Sequence, residues 1–243
     1  MSATYVYGLI RSDAELPQHL SGLGPSGRVT TIAHHRVAAI VSDLPTDRPL
    51  GTRDDLIAHE RVLDTVAQRC AVVPMRFPAV VEESGVVDEL LAPHEERFVE
   101  VLARLDGLVQ FTLKARYERD VVLREIAEDD DEIMALRQRV SELPEDASYY
   151  DRIRLGELVV GEMERRRNDE GSRVLERLQP FAVAVSVRQQ TQPDEVVNAA
   201  FLVARDNIGA FDDAVEEVGR DLNGRMRFRL LGPLAPYDFI PEG

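Results

Sequence analysis

From Gly107 onward the chain carries an order of strand and helix signals that few folds satisfy. Val109, Phe111, Leu113, Ala115 and Tyr117 alternate with polar side chains across Leu108 to Tyr117, the pattern of a strand with one buried face. Helical spacing follows at Arg119 to about Ala127 and Asp131 to Leu143. It then runs long from Asp151 to Leu178 through Ile153, Leu155, Leu158, Val159, Met163, Val174 and Leu175, until Pro180 stops it. The acidic run Glu128 to Glu132 between the first two stretches reads as a solvated loop or a helix start. Phe181 to Val187 and Ala199 to Ala204 read as strands and Ile208 to Leu222 as an amphipathic helix closed by Asn223-Gly224. Arg225 to Leu231 reads as a last strand. The order is a ferredoxin-like β-α-β-β-α-β plan with extra helix in its first crossover, and right-handed crossovers then restrict its topology.

The first half reads differently. Thr4 to Ile10 is a strand, and Arg28 to Ala33 with Arg36 to Ser42 pair as a hairpin that turns at His34-His35. A helix capped by Thr52 runs to about Arg69. Ala71 to Phe77 is a short apolar strand that Pro74 demotes to an edge or a bend, and Ser84 to Leu105 is a helix that Pro93 breaks or kinks. These signals predict an α+β protein of two domains, residues 1–106 and 107–243, with the topology of the first left open. The sequence then closes with Gly232-Pro233-Leu234-Ala235-Pro236-Tyr237-Asp238-Phe239-Ile240-Pro241. Its prolines exclude a helix or a central strand, and its Leu, Tyr, Phe and Ile need burial. The expectation is a clasp, folded back over the sheet or into a groove between the domains.

Charge and cysteine usage narrow the function classes. A formal charge of −15, from 44 acidic against 29 basic residues, disfavours a protein that tracks nucleic-acid phosphates. The basic runs Arg152 to Arg154 and Glu164-Arg165-Arg166-Arg167 lie among carboxylates and read as solvated helix faces. The single Cys70 cannot bridge within the chain, the start Met1 to Tyr5 resembles no leader, and no apolar stretch is long enough to span a bilayer. The expected setting is a reducing cytoplasm, with neither membrane nor nucleic acid as partner.

Candidate chemistry is sparse. The Gly22 to Gly27 cluster lacks the strand-to-helix setting of a phosphate loop. His59-Glu60 sits on a helix, but Leu63 stands where a second zinc ligand would be, so a structural role is expected. His34 and His35, as neighbours in a strand or turn, should face opposite sides, and no metal is assigned to them. Cys70 reads as a buried, inert thiol. Arg76, amid Val73-Pro74-Met75-Arg76-Phe77, needs a carboxylate such as Glu60 or Glu162 and reads as a tie between strand and helix. With no catalytic triad, nucleophile elbow or paired cysteines, no catalytic, cofactor or metal residue is assigned.

Several blocks together carry a resemblance. Tyr5-Val6-Tyr7-Gly8, His59-Glu60-Arg61-Val62, Val72-Val73-Pro74-Met75-Arg76-Phe77, Ala200-Phe201-Leu202-Val203 and Gly232-Pro233-x-x-Pro236-Tyr237-x-Phe239 resemble, in order, the gas-vesicle protein F/L family. The likeness extends from residue 5 to residue 239, and the V-P-M-R-F block and the proline-rich close are its most specific parts. Leu234-Ala235 departs from a frequent Trp-Pro, and Pro78 from a usual glycine. The resemblance implies two α+β domains, the second modified ferredoxin-like. It also implies a non-enzymatic accessory protein of gas vesicle assembly, cytoplasmic and associated with the vesicles. The implied partners are the small hydrophobic major shell protein, bound by the first domain, and other vesicle accessory proteins. His59, Glu60, Pro74, Arg76, Phe77, Pro233, Pro236, Tyr237 and Phe239 are the structural or interface candidates. The other class open to such a chain is a small-molecule enzyme or ligand-binding protein with its pocket between the domains.

Overall fold

Residue 7 breaks the strand alternation at the start of the chain, and much of the first sheet follows from that break. The computed structural model describes residues 3–24, 26–45 and 48–241; Met1 and Ser2 of the segment read for a leader, and Pro25 of the glycine-rich loop, lie outside them. Strand β1 (Ala3–Arg11) pairs antiparallel with β3 (Val37–Asp43), with Val6 opposite Val41 and Gly8 opposite Ile40, so Tyr7 is an extra residue in a bulge. The bulge reverses the in-out parity. Tyr5, Tyr7 and Ile10 therefore join one core with Ala38 and Ile40. Gly8 is required where β1 comes closest to its other neighbour, since a Cβ there would lie 2.7 Å from the Val73 carbonyl and 2.8 Å from a Leu63 methyl.

Strand β2 (Val29–His34) pairs with β3 as the expected hairpin, and the His34–Val37 pair leaves His35 and Arg36 as the turn. Helix α1 (Arg53–Ala67) begins in a capping box between Thr52 and Asp55 and presents Val62, Leu63, Val66 and Ala67 to the core. The Ala71 to Phe77 expectation shortens to β4 (Val73–Pro74), because Pro74 supplies no N–H to a ladder. The backbone nevertheless keeps company with β1. Met75 N–H donates to the Tyr7 carbonyl and Val6 N–H to that of Ala79, leading into β5 (Val80–Glu82), a strand with no sequence signal. The sheet order is β2-β3-β1-β4, with β5 also on β1.

Pro93 acts as expected. The helical stretch is divided into α2 (Glu83–Gly85), a π turn over Val86–Leu91, a 3-10 turn over Ala92–His94 and α3 (Glu95–Leu105). Helix α3 packs on β1, β3 and β4.

The chain forms two compact units, one of Met1–Phe111, Leu202–Asp206 and Leu231–Gly243, the other of Thr112–Phe201 and Asn207–Leu230. Beyond β6 (Leu108–Tyr117) come α4 (Arg119–Asp129), α5 (Asp131–Glu142) and α6 (Tyr149–Leu178). Asp130 of the acidic run caps α5 by accepting from the Glu132 and Ile133 N–H groups. Then follow β7 (Ala184–Val187), β8 (Glu195–Ala204), α7 (Ile208–Asp221) and β9 (Met226–Leu234), in a sheet ordered β7-β8-β6-β9. Strand β8 starts four residues before its apolar run because buried Glu195 and Asn198 belong to it, and Glu195 accepts from the Thr191 N–H. The class is α+β.

Four arginines of the α6 runs are paired, while the Arg167 Nε is buried without a hydrogen-bond partner among the described residues. Arg152 meets Glu145, Arg154 meets Glu132, Arg165 meets Glu162 and Asp169, and Arg166 meets Glu162 and Asp129. Glu162, weighed from sequence as a partner for Arg76, is thus shared by two arginines of its own helix. At the start of β9, Arg225 bridges Glu125 and Glu170 beside the Tyr117 ring.

Candidate functional site

Four of the sequence blocks meet inside the first unit, around the imidazole that one of them supplies. His59 projects from α1 into the core and is 1% exposed. A carbonyl can only accept, so His59 Nε2–H donates to the Met75 carbonyl at 3.0 Å, and Nδ1 accepts from the Tyr5 hydroxyl at 2.8 Å. This fixes a neutral tautomer. Burial pushes the His59 pKa down, against the weaker opposing effect of the Met75 hydrogen bond. Tyr7 stacks on the ring at 5.7 Å, Phe77 meets it edge-on and Tyr237 lies tilted at 6.5 Å. Tyr7 continues the network by bonding Ser42 and accepting the Leu23 N–H.

The terminal segment closes over this cluster. Ala235 and Pro236 are buried, and the Ala235 N–H donates to Asp64 Oδ1 at 2.8 Å. Asp238 is held from both sides, its carboxylate accepting from the Gln110 amide and its N–H donating back to Gln110. Gly232 (φ 153°) has to be glycine, since a Cβ would sit 2.4 Å from the Phe111 ring. Pro233 and Phe239 are half-buried at either end of the segment. Tyr237 buries its hydroxyl without a hydrogen-bond partner among the described residues.

A cleft of about 730 Å³ opens beside these residues. Pro74, Met75, Leu90, Phe98, Val101, Tyr237 and Ile240 line it with apolar surface, and Arg76 and Arg97 add charge. Arg76 is exposed, and Arg97 donates to the Pro241 carbonyl. Glu60, the neighbour of His59, faces outward. Cys70 is half-buried and burial pushes its thiol up, away from thiolate chemistry. Among the described residues that line the cleft there is no Ser, Thr, Cys, His, Asp or Glu. What the cleft offers is apolar contact with a cationic margin.

The family model described as gas vesicle synthesis protein GvpL/GvpF matches residues 3–241. The chain belongs to the GvpL/GvpF family. Among relatives, gas vesicle protein F of Streptomyces sp. (strain CB03234) is 33% identical over 98% of this chain and 99% of its own length. Gas vesicle protein F of Nostoc sp. (strain PCC 7120 / SAG 25.82 / UTEX 2576) is 26% identical over 98% of each. The crystal structure of GvpF from Anabaena sp. PCC7120 superposes with a TM-score of 0.82 at 24% identity, covering 100% of both chains, and shares the fold. Membership in the GvpL/GvpF family carries a gas vesicle-associated role. Among the described residues, no helix is long and apolar enough to cross a membrane.

Of the candidates, His59, Phe77 and Tyr237 converge on the cluster, Pro236 is buried in the terminal segment, and Pro74 and Arg76 line the cleft. Sequence reasoning missed Asp64. Burial, aided by Glu60, raises its pKa to about 6, although the Ala235 N–H pulls the other way. A carboxyl that holds its proton more tightly when folded contributes stability below its unfolded pKa near 3.9 and loses it as pH rises to about 6. Asp64→Asn keeps the acceptor for Ala235 and removes this titration. Its stability relative to the parent should therefore rise by about 1–2 kcal/mol between pH 4 and pH 7.5, a value discounted for partial solvent screening. Urea melts at the two pH values check this, and a pH-independent difference would exclude it.

Proposed function

We propose that this chain is a non-enzymatic assembly factor for gas vesicles that binds the small hydrophobic shell protein and nucleates or chaperones shell formation. The observation that carries the reading is the apolar cleft of the first unit, walled by Met75, Leu90, Phe98 and Ile240 and margined by Arg76 and Arg97. Such a surface can cover an aggregation-prone apolar segment, and a net charge of −15 keeps the carrier itself dispersed. The gas vesicle protein F relatives supply the setting. In this reading residues 1–106 carry the binding surface, and Pro233 to Phe239 hold one wall of it. Residues 107–243 supply the ferredoxin-like part. The protein works in the cytoplasm, attached to growing vesicles, with other vesicle accessory proteins as further partners.

Co-expression with the major shell protein tests the proposal. The full-length chain should co-precipitate it and keep it in the soluble fraction. Leu90→Asp, which places a charge on the cleft wall, should cut capture at least tenfold while shifting the thermal midpoint by only a few degrees. Absence of capture by the full-length chain would overturn the proposal. Undiminished capture by the Leu90 variant would remove the cleft from it.

A further inference from the structure

We propose that the β2–β3 turn and the start of α3 form a binding site for a divalent transition metal of the zinc class, ligated by His34, His35 and Glu95. These residues each direct a ligand atom to one place, and all three atoms lie within 4.8 Å of one another. Tetrahedral zinc with bonds of 2.0–2.1 Å sets its donors roughly 3.3 Å apart, so closure needs only small side-chain rotations. Two imidazoles and a carboxylate suit zinc and its neighbours, not calcium or magnesium.

The backbone explains how adjacent histidines meet. In a regular strand their side chains would face opposite sides. His35 instead has φ 47° in the turn, a conformation usually left to Gly, Asn or Asp, and its ring lies 4.3 Å from that of His34. Ser12 fixes this turn. Its hydroxyl donates to the His35 carbonyl at 2.7 Å, and its N–H donates to that of Arg36 at 3.0 Å.

Glu95 is prepared as the third ligand. Arg36 Nε donates to the Glu95 carboxylate at 2.9 Å, and Arg36 also pairs with Glu96. An outer partner of this kind orients a ligating carboxylate. His35 is exposed while His34 and Glu95 are half-buried, so one side of the site is open to an arriving ion. The bound ion would tie the hairpin turn to α3.

The test uses the full-length chain without a histidine tag. Zinc titration by calorimetry, and cobalt absorption in the visible range, should show one ion per chain with a dissociation constant of about 10 µM or tighter. The double variant His34→Asn, His35→Asn preserves the turn, because Asn tolerates positive φ, and should weaken zinc binding by about 100-fold and abolish the cobalt band. Glu95→Gln should weaken it by about tenfold. Zinc should raise the thermal midpoint of the parent chain but not of the folded double variant. Equal binding by parent and double variant, or no stoichiometric binding by the parent, would overturn the proposal.

Discussion

Removing residues 233–243 should lower the thermal midpoint by about 10–20 °C. Two residues of this segment, Ala235 and Pro236, are buried, and Leu234, Tyr237, Phe239 and Ile240 are half-buried. Full burial of a large apolar side chain contributes about 1.5–3 kcal/mol, so the four half-buried ones together supply on the order of 5 kcal/mol. The lost bonds add to this. Asp64 would lose the Ala235 N–H, and Gln110 would lose both its bonds to Asp238. For a chain of this size each kcal/mol shifts the midpoint by about 2–4 °C. Calorimetry of the truncated chain checks the value. An unchanged midpoint would make the segment an exposed tail available to a partner.

His59→Leu should cost about 3–5 kcal/mol. Leucine fills most of the space but leaves the Tyr5 hydroxyl and the Met75 carbonyl without their partner, each worth about 1–3 kcal/mol when stranded in the core. Tyr5→Phe added to His59→Leu removes one of the stranded groups, so the double variant should be more stable than His59→Leu alone. Urea melts measure both. A single variant within about 1 kcal/mol of the parent would show that the imidazole is a space filler, not the hub of a bonded network.

The same contrast between local and distant partners explains which parts of the fold were legible in sequence. Leu108–Tyr117 is a strand in the structure as its alternation predicts, and Thr52 caps α1 by the local chemistry of its own first turn. Signals that depend on remote partners were not legible. Val80–Glu82 is a strand only because β1 lies beside it, and the start of β8 is hidden by Glu195 and Asn198, polar residues buried by tertiary contacts. For the site, His59, Phe77 and Tyr237 were visible as parts of family blocks, but nothing local marked Asp64, whose role depends on Ala235 171 residues away. His34 and His35 illustrate the limit from the other side. A period-2 rule places them on opposite faces, and one positive φ brings their rings together.

The separation between Asp64 and Ala235 also has a consequence for biosynthesis. A ribosome makes α1 and the tyrosines of β1 early, whereas the segment that covers them emerges only after the whole of the second unit. Until then the aromatic cluster and the apolar wall that Tyr237 and Ile240 help to form are uncovered in the nascent chain. The first unit therefore cannot complete its core in the order in which it is translated, and its maturation waits until the segment from Leu231, made after the second unit, has been synthesised.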